Sequence, residues 1–159
     1  MARIITDRQE LKREVDKLRA AGKKIVFTNG AFDIIHVGHV RYLYGAAAEG
    51  DVLVVGVNTD ESIKQYKSKD RPLQPLDARM EIVAAFKPVS IVTCFGEPTC
   101  DALLEFIRPD VMCKGPEYGP HNLPEYPTVQ RLGIRLATVG GPKENSSTEL
   151  IRKLQEHGL

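Results

Sequence analysis

Residues 27–39 read FTNGAFDIIHVGH, and two of the chain's four histidines lie in them, three apart around a glycine. If a helix begins near Val37, His36 and His39 share one face of its first turn. Unpaired backbone N–H groups and the positive end of the helix dipole favour an anion there. Two imidazoles at such a point can donate hydrogen bonds to a phosphoryl group as its charge grows. Asn29-Gly30 precedes them at the end of an apolar run, where a glycine lets the backbone approach a ligand. The spacing is neither the dinucleotide G-x-G-x-x-G nor the phosphate-loop G-x-x-x-x-G-K-[ST]. Taken alone, the pair is equally a set of surface residues or a chance metal pair.

Other chemistry-bearing residues gather between apolar runs. Asn58 and Asp60 follow VLVVGV, and Asp60 reads either as a site residue or as a helix N-cap. Lys67, Lys69 and Arg71 lie in a polar, proline-containing loop, either a phosphate clamp or a solvated basic segment. Asp77 and Arg79 follow it. Lys114-Gly115 and Glu117 come after DVMC, and Ser146, Ser147 and Thr148 open the last predicted helix. Hydroxyls in that position suit a cap, a triphosphate or both. Cys94, Cys100 and Cys113 are odd in number and lack C-x-x-C spacing. That argues against a disulfide framework or zinc site and for reduced thiols partly in the core.

The elements that must position these residues follow from periodicity. Residues 7–21 predict a helix with Leu11, Val15 and Leu18 on one face, a capping-box-like Asp7 and Glu10, and Gly22 as its stop. KKIVFTNG predicts a strand, 37–49 a helix, and DVLVVGVN a second strand. The continuous apolarity of DVLVVGVN is that of a parallel strand covered on both faces. Helices over 60–66, 77–86, 99–107, 124–132 and 147–157 alternate with strands VSIVTCF, DVMCKG and IRLATVG. The alternation predicts an α/β, Rossmann-like, doubly wound parallel five-stranded sheet with helices on both faces. Ligands of such sheets bind beyond the carboxyl ends of the strands, near the topological switch point. The loops to watch are therefore TNGAFDIIH, GVNTD, CFGEPT, CKGPEY and VGGPKENSS.

The chain has 159 residues, one domain's worth, 42% hydrophobic and 27% charged, with a net charge of +1. No global field draws it to nucleic acid or an anionic membrane, so attraction for an anionic ligand must be local. No signal-peptide core is visible and no apolar run is long enough to span a bilayer. The expectation is a cytoplasmic protein.

With its strand and helix context, Asn29-Gly30-Ala31-Phe32-Asp33 followed by His36-Val37-Gly38-His39 resembles the HxGH signature of the nucleotidyltransferase superfamily. ITDRQEL, VGVNTDESIK, KSKDRPLQPLDARMEIVAAF, IRPDVMCKGPEY and SSTELI extend the likeness over nearly the whole chain. Its cytidylyltransferase-like branch is the most similar, and within it the adenylyltransferases of ADP-heptose synthesis. The resemblance implies transfer of AMP from ATP to D-glycero-β-D-manno-heptose 1-phosphate, with Mg²⁺ bound through the triphosphate rather than by protein side chains. In many bacteria such a domain follows a sugar kinase; this chain resembles the stand-alone form.

By the same resemblance, His36 and His39 contact the phosphates and stabilise the transition state, with Lys67 and Lys69 as further catalytic candidates. Thr28, Asn29, Gly30, Ala31, Phe32 and Gly38 match the first phosphate cradle. Arg79, Lys114, Gly115, Ser146, Ser147 and Thr148 are further nucleotide-binding candidates. Asp33, Asn58, Asp60, Arg71 and Glu117 are acceptor-binding candidates, Asp33 being equally a structural cap on its loop. Three positions depart from the pattern: KGPEY stands for KGxDY, Ala31 for a frequent cysteine, and PKEN for a glycine-containing loop. A homodimer is expected by analogy. The competing expectations are a glycerol-3-phosphate cytidylyltransferase, a flavin adenylyltransferase, and a nucleotide-binding regulator without turnover.

Overall fold

In the computed structural model, which describes residues 1–142 and 146–158, β1 (Arg3–Ile4) leads through α1 (Arg8–Ala20) to β2 (Ile25–Gly30). Then follow α2 (Val37–Ala47), β3 (Val52–Asn58), α3 (Asp60–Tyr66), α4 (Leu76–Ala84) and β4 (Ile91–Phe95). The chain continues with α5 (Asp101–Ile107), β5 (Val111–Lys114), α6 (Tyr126–Arg131), β6 (Arg135–Thr138) and α7 (Ser147–Glu156). All strand pairs are parallel, in the order β1-β4-β3-β2-β5-β6.

The sheet therefore has six strands where five were predicted. The extra one, β1, is two exposed residues that pair Arg3 with Ile91 and Ile4 with Val92 at the edge. A strand that short has no alternation to read. The other elements fall close to their expected places. Asp7 caps α1, its carboxylate accepting the Glu10 N–H at 2.8 Å, and Leu11 and Val15 are fully buried.

Side chains alternate across the sheet, as pleating requires. Ile25, Phe27, Val52 and Val54 pack on one face with Leu11 and Val15 of α1 and Leu103, Leu104 and Ile107 of α5. Val26, Leu53, Val55 and Val57 pack on the other with Leu43 and Ala46 of α2 and Met80 and Val83 of α4. Every residue of β3 is buried, the reason its sequence is apolar without alternation.

From β2 the chain walks through β3 to β4 with α2 and α4 on one face. It then returns to the other side of β2 and lays down β5 and β6, with α5 and Val129 of α6 on the opposite face. The loops leaving neighbours β2 and β5 therefore diverge, opening the crevice that α/β sheets use for ligands. No helix among the described residues is long and apolar enough to cross a membrane.

Candidate active site

The turn after β2 is built around histidine rather than the usual short polar cap. His36 is the N-cap of α2, and its Nδ1 accepts the Gly38 N–H at 3.1 Å. The His36 N–H in turn donates to Nδ1 of His39 at 3.3 Å, a reciprocal arrangement that satisfies two N–H groups at the helix start. The rings lie 3.9 Å apart between centroids. With each Nδ1 accepting, a neutral imidazole carries its proton on Nε2, so Nε2–H is the donor each ring presents. Phe32 reaches the turn with φ 51, a left-handed backbone unusual for an aromatic residue, and its ring packs 5.2 Å from that of His39.

Two cavities adjoin at the crevice between β2 and β5. One, of about 210 Å³, is lined by Asn29, Gly30, Phe32, His36, Gly38 and His39, and closed by Lys114, Gly115, Glu117 and 139–142. The other, of about 240 Å³, extends over the ends of β3 and β4, lined by Asn58, Tyr66, Phe95, Thr99 and Glu125. Asn29, Gly30, Lys114 and Tyr118 belong to both. The Lys114 ammonium donates to Asn29 Oδ1 at 3.1 Å and sits 4.6 Å from the centre of the Tyr118 ring. Burial lowers its pKa. Glu117 folds over Gly115, where a Cβ would meet its carboxylate at 2.5 Å, so a larger residue there would displace the Glu117 side chain.

Of the candidate residues, those just named line the cavities; the others face elsewhere. Thr28 is fully buried, its hydroxyl donating to the Cys113 carbonyl at 3.0 Å and hydrogen-bonded to Tyr42. The Tyr42 hydroxyl lies 3.0 Å from the same carbonyl, so the two hydroxyl protons are shared among these three contacts, and burial pushes the Tyr42 pKa up. Arg79 has no exposed surface. It donates to the carbonyls of Gln74 (2.9 Å), Ala31 (2.7 Å) and Asn58 (2.8 Å) and pairs with Asp60 at 2.6 Å. It ties three loops together instead of lining a cavity. Asp60 is accordingly neither exposed nor the cap of α3; Thr59 is, accepting the Ser62 N–H at 3.3 Å.

Arg71 and Asp33 pair with one another at 2.7 Å, both buried, and Asp33 also accepts the N–H groups of Leu73 and Gln74. Burial would push the Asp33 carboxyl up, but Leu73, Arg71 and Gln74 together hold it below its ordinary value. Asp33 is thus the cap on its loop. Arg71 Nη2 is buried without a partner among the described residues. Lys67 follows α3 as its C-cap, and Lys69 lies in the exposed loop beyond; neither lines either of these two cavities. Ser146 caps α7, and Ser147 donates to the Ile34 carbonyl at 2.7 Å, fastening α7 to the 31–36 loop. Thr148 lies exposed in the first turn of α7. Lys143, Glu144 and Asn145 of PKEN lie outside the described residues.

Phe32's conformation, the Tyr42 hydroxyl, Tyr118 and Glu125 were not singled out from the sequence. Tyr118 stands inside the KGPEY segment and had a signal; Glu125 sits in a proline-containing loop with none. The thiols of Cys100 and Cys113 are buried, the latter's pKa pushed up to about 12 by burial, and Cys94 is half-buried. Among the described residues no three His, Cys, Asp or Glu side chains converge to hold a metal ion.

The chain is similar to known proteins over most of its length. The bifunctional protein HldE of Pseudomonas paraeruginosa is 41% identical over 150 residues, 94% of this chain and 32% of that protein. HldE of Alcanivorax borkumensis is 41% identical over 142 residues, 89% of this chain and 30% of its own length. The chain thus spans about a third of the curated relatives it matches. The crystal structure of the lipopolysaccharide core biosynthesis protein from Thermoplasma volcanium has the same fold, with a TM-score of 0.66 at 24% identity, over 77% of this chain and all of that one. The cytidylyltransferase-like family model matches residues 27–153, from the strand before the histidine turn into the last helix. This chain belongs to the cytidylyltransferase-like family of nucleotidyltransferases.

Proposed function

We propose that the protein transfers AMP from ATP to D-glycero-β-D-manno-heptose 1-phosphate, giving ADP-heptose and pyrophosphate. The observation that carries the reading is the His36–His39 pair, set by its own backbone contacts to present two Nε2–H donors at the start of α2. In this reading ATP enters as its magnesium complex in the histidine-lined cavity, with the polyphosphate against the imidazoles and the N–H groups of α2. Magnesium bound through the triphosphate would neutralise polyphosphate charge beside His36 and His39. The acceptor occupies the adjoining cavity, and its phosphate oxygen attacks the α-phosphorus in line as pyrophosphate leaves.

Little covalent chemistry falls to the protein in such a transfer; positioning and charge stabilisation do the work. His36 and His39 stabilise charge growing on the transferring phosphoryl group. Lys114, shared by both cavities, attracts the two anionic substrates to one wall. Arg79, Asp60, Asp33 and Arg71 hold the loops that carry them. Lys67 and Lys69 join the phosphates only if their loop closes over the bound nucleotide. The proposal extends to a cytoplasmic homodimer, which light scattering in solution tests.

The deciding experiment is pyrophosphate release with Mg²⁺, crossing ATP, CTP and GTP against heptose 1-phosphate, glycerol 3-phosphate and FMN. Selective turnover of ATP with the heptose is expected. Turnover of another pair replaces the substrates and keeps the chemistry. No turnover from folded, nucleotide-binding protein overturns the proposal.

A further inference from the structure

Glu125 is 5% exposed, yet it lines the second cavity. Its Oε1 accepts the Cys100 N–H at 3.2 Å and the Cys100 thiol at 3.4 Å. Among the described residues Oε2 takes no hydrogen bond and no cation lies within ion-pair distance of the carboxylate. The nearby ammonium of Lys114 is turned to Asn29 and the Tyr118 ring. A carboxylate oxygen that lines a cavity with its lone pairs unused is an acceptor for donors on whatever occupies that cavity.

The same cavity also carries the other polarity. Lys114 lines both this cavity and the histidine-lined one, whereas Glu125 lines only this one. Phosphate is attracted to Lys114 and repelled from Glu125. Hydroxyl groups behave in reverse, since a carboxylate accepts O–H donors well. On the same wall, Tyr66 offers a ring surface suited to the C–H face of a sugar, and Asn58 adds an amide.

From this polarity we infer that Glu125 is the residue that reads the acceptor's hydroxyl groups and so turns its phosphate toward Lys114 and the histidines. The inference rests on the proposed reading that the acceptor is a sugar phosphate. It makes Glu125 a specificity-determining residue rather than a catalytic one, acting on the acceptor and not on the nucleotide.

Glu125→Gln tests it, since the amide oxygen keeps the Cys100 contacts. Wild type and variant are compared in pyrophosphate release and by calorimetric binding of heptose 1-phosphate, mannose 1-phosphate, glycerol 3-phosphate and inorganic phosphate. The variant is expected to weaken heptose 1-phosphate at least tenfold in KM and Kd. The KM for ATP and the Kd for inorganic phosphate change less than twofold. Unchanged heptose binding, or equal weakening of inorganic phosphate, overturns the role of Glu125 while wild-type turnover keeps the proposed reaction. Glu125-dependent binding of a different polyol phosphate, without heptose turnover, overturns the proposed reaction and supports the role. If no phosphate in the panel binds in a Glu125-dependent way, the role falls. Should Glu125→Gln fail to fold, Glu125→Asp is measured against the same panel and criteria.

Discussion

Arg79, buried, and Lys114, half-buried, are both cations near strand ends, and they do opposite jobs. Arg79 spends its guanidinium on three backbone carbonyls and one carboxylate, leaving nothing to face a cavity. Among the described residues Lys114 has one hydrogen-bond acceptor, the Asn29 amide oxygen, and it lines both cavities. The fork of an arginine suits several fixed acceptors at once, whereas an ammonium is a compact charge that a ligand can engage. The region around 71–79 is thus a scaffold turned inward, and the ends of β2 and β5 form the face that lines the cavities, the working face of the proposed reaction. Arg71 and Asp33 repeat the inward pattern one loop away.

The largest test of that division is Arg79→Leu. It strips partners from three carbonyls and Asp60, and breaking such a buried pair costs about 3–5 kcal/mol. Urea unfolding is expected to show that loss. A variant of wild-type stability that had lost activity would break the comparison, placing Arg79 on the working face. Asp33→Asn sharpens it through pH, with a loss of about 3 kcal/mol near neutrality. The folded carboxyl titrates below the unfolded value of 3.8, so its stabilisation is complete above that value and is lost as pH falls through the lower folded one. The gap between wild type and Asp33→Asn should therefore close in acid. Next comes His36→Ala, on the working face, expected to reduce kcat about a hundredfold or more. Near-normal turnover would remove His36 from the transition state.

Why was the working face more legible than the scaffold? His36-Val37-Gly38-His39 after a strand announces itself by residue type and spacing, and the doubly wound order follows from alternating periods. Which way a cation points does not. Lys67, Arg71 and Arg79 look alike in the sequence as positive charges near a proline-containing loop, yet Arg71 and Arg79 are buried by partners 38 and 48 residues away. Thr28 likewise reads as a phosphate ligand until Tyr42 and Cys113 are seen to take its hydroxyl. Long-range pairing decided each case, and no local pattern encodes it. β1 escaped for a different reason: two residues carry no period.

The smallest expected effect separates the two cations by sign. Lys114→Met should lower kcat/KM about tenfold, the cost of one charge-assisted hydrogen bond to substrate, without lowering stability. Burial disfavours the ammonium, and its pKa is lowered in the folded protein. The unfolded chain therefore binds more protons between the folded and unfolded values, so this group's contribution to stability improves as pH rises through that interval. Methionine has no such charge to desolvate. Wild type minus Lys114→Met, followed by thermal unfolding, should accordingly rise toward alkaline pH, opposite in direction to what a stabilising ion pair would give. A falling difference, or a stability loss as large as that of Arg79→Leu, would make Lys114 a second scaffold cation. The cavities would then lack the charge that gathers both phosphates to one wall.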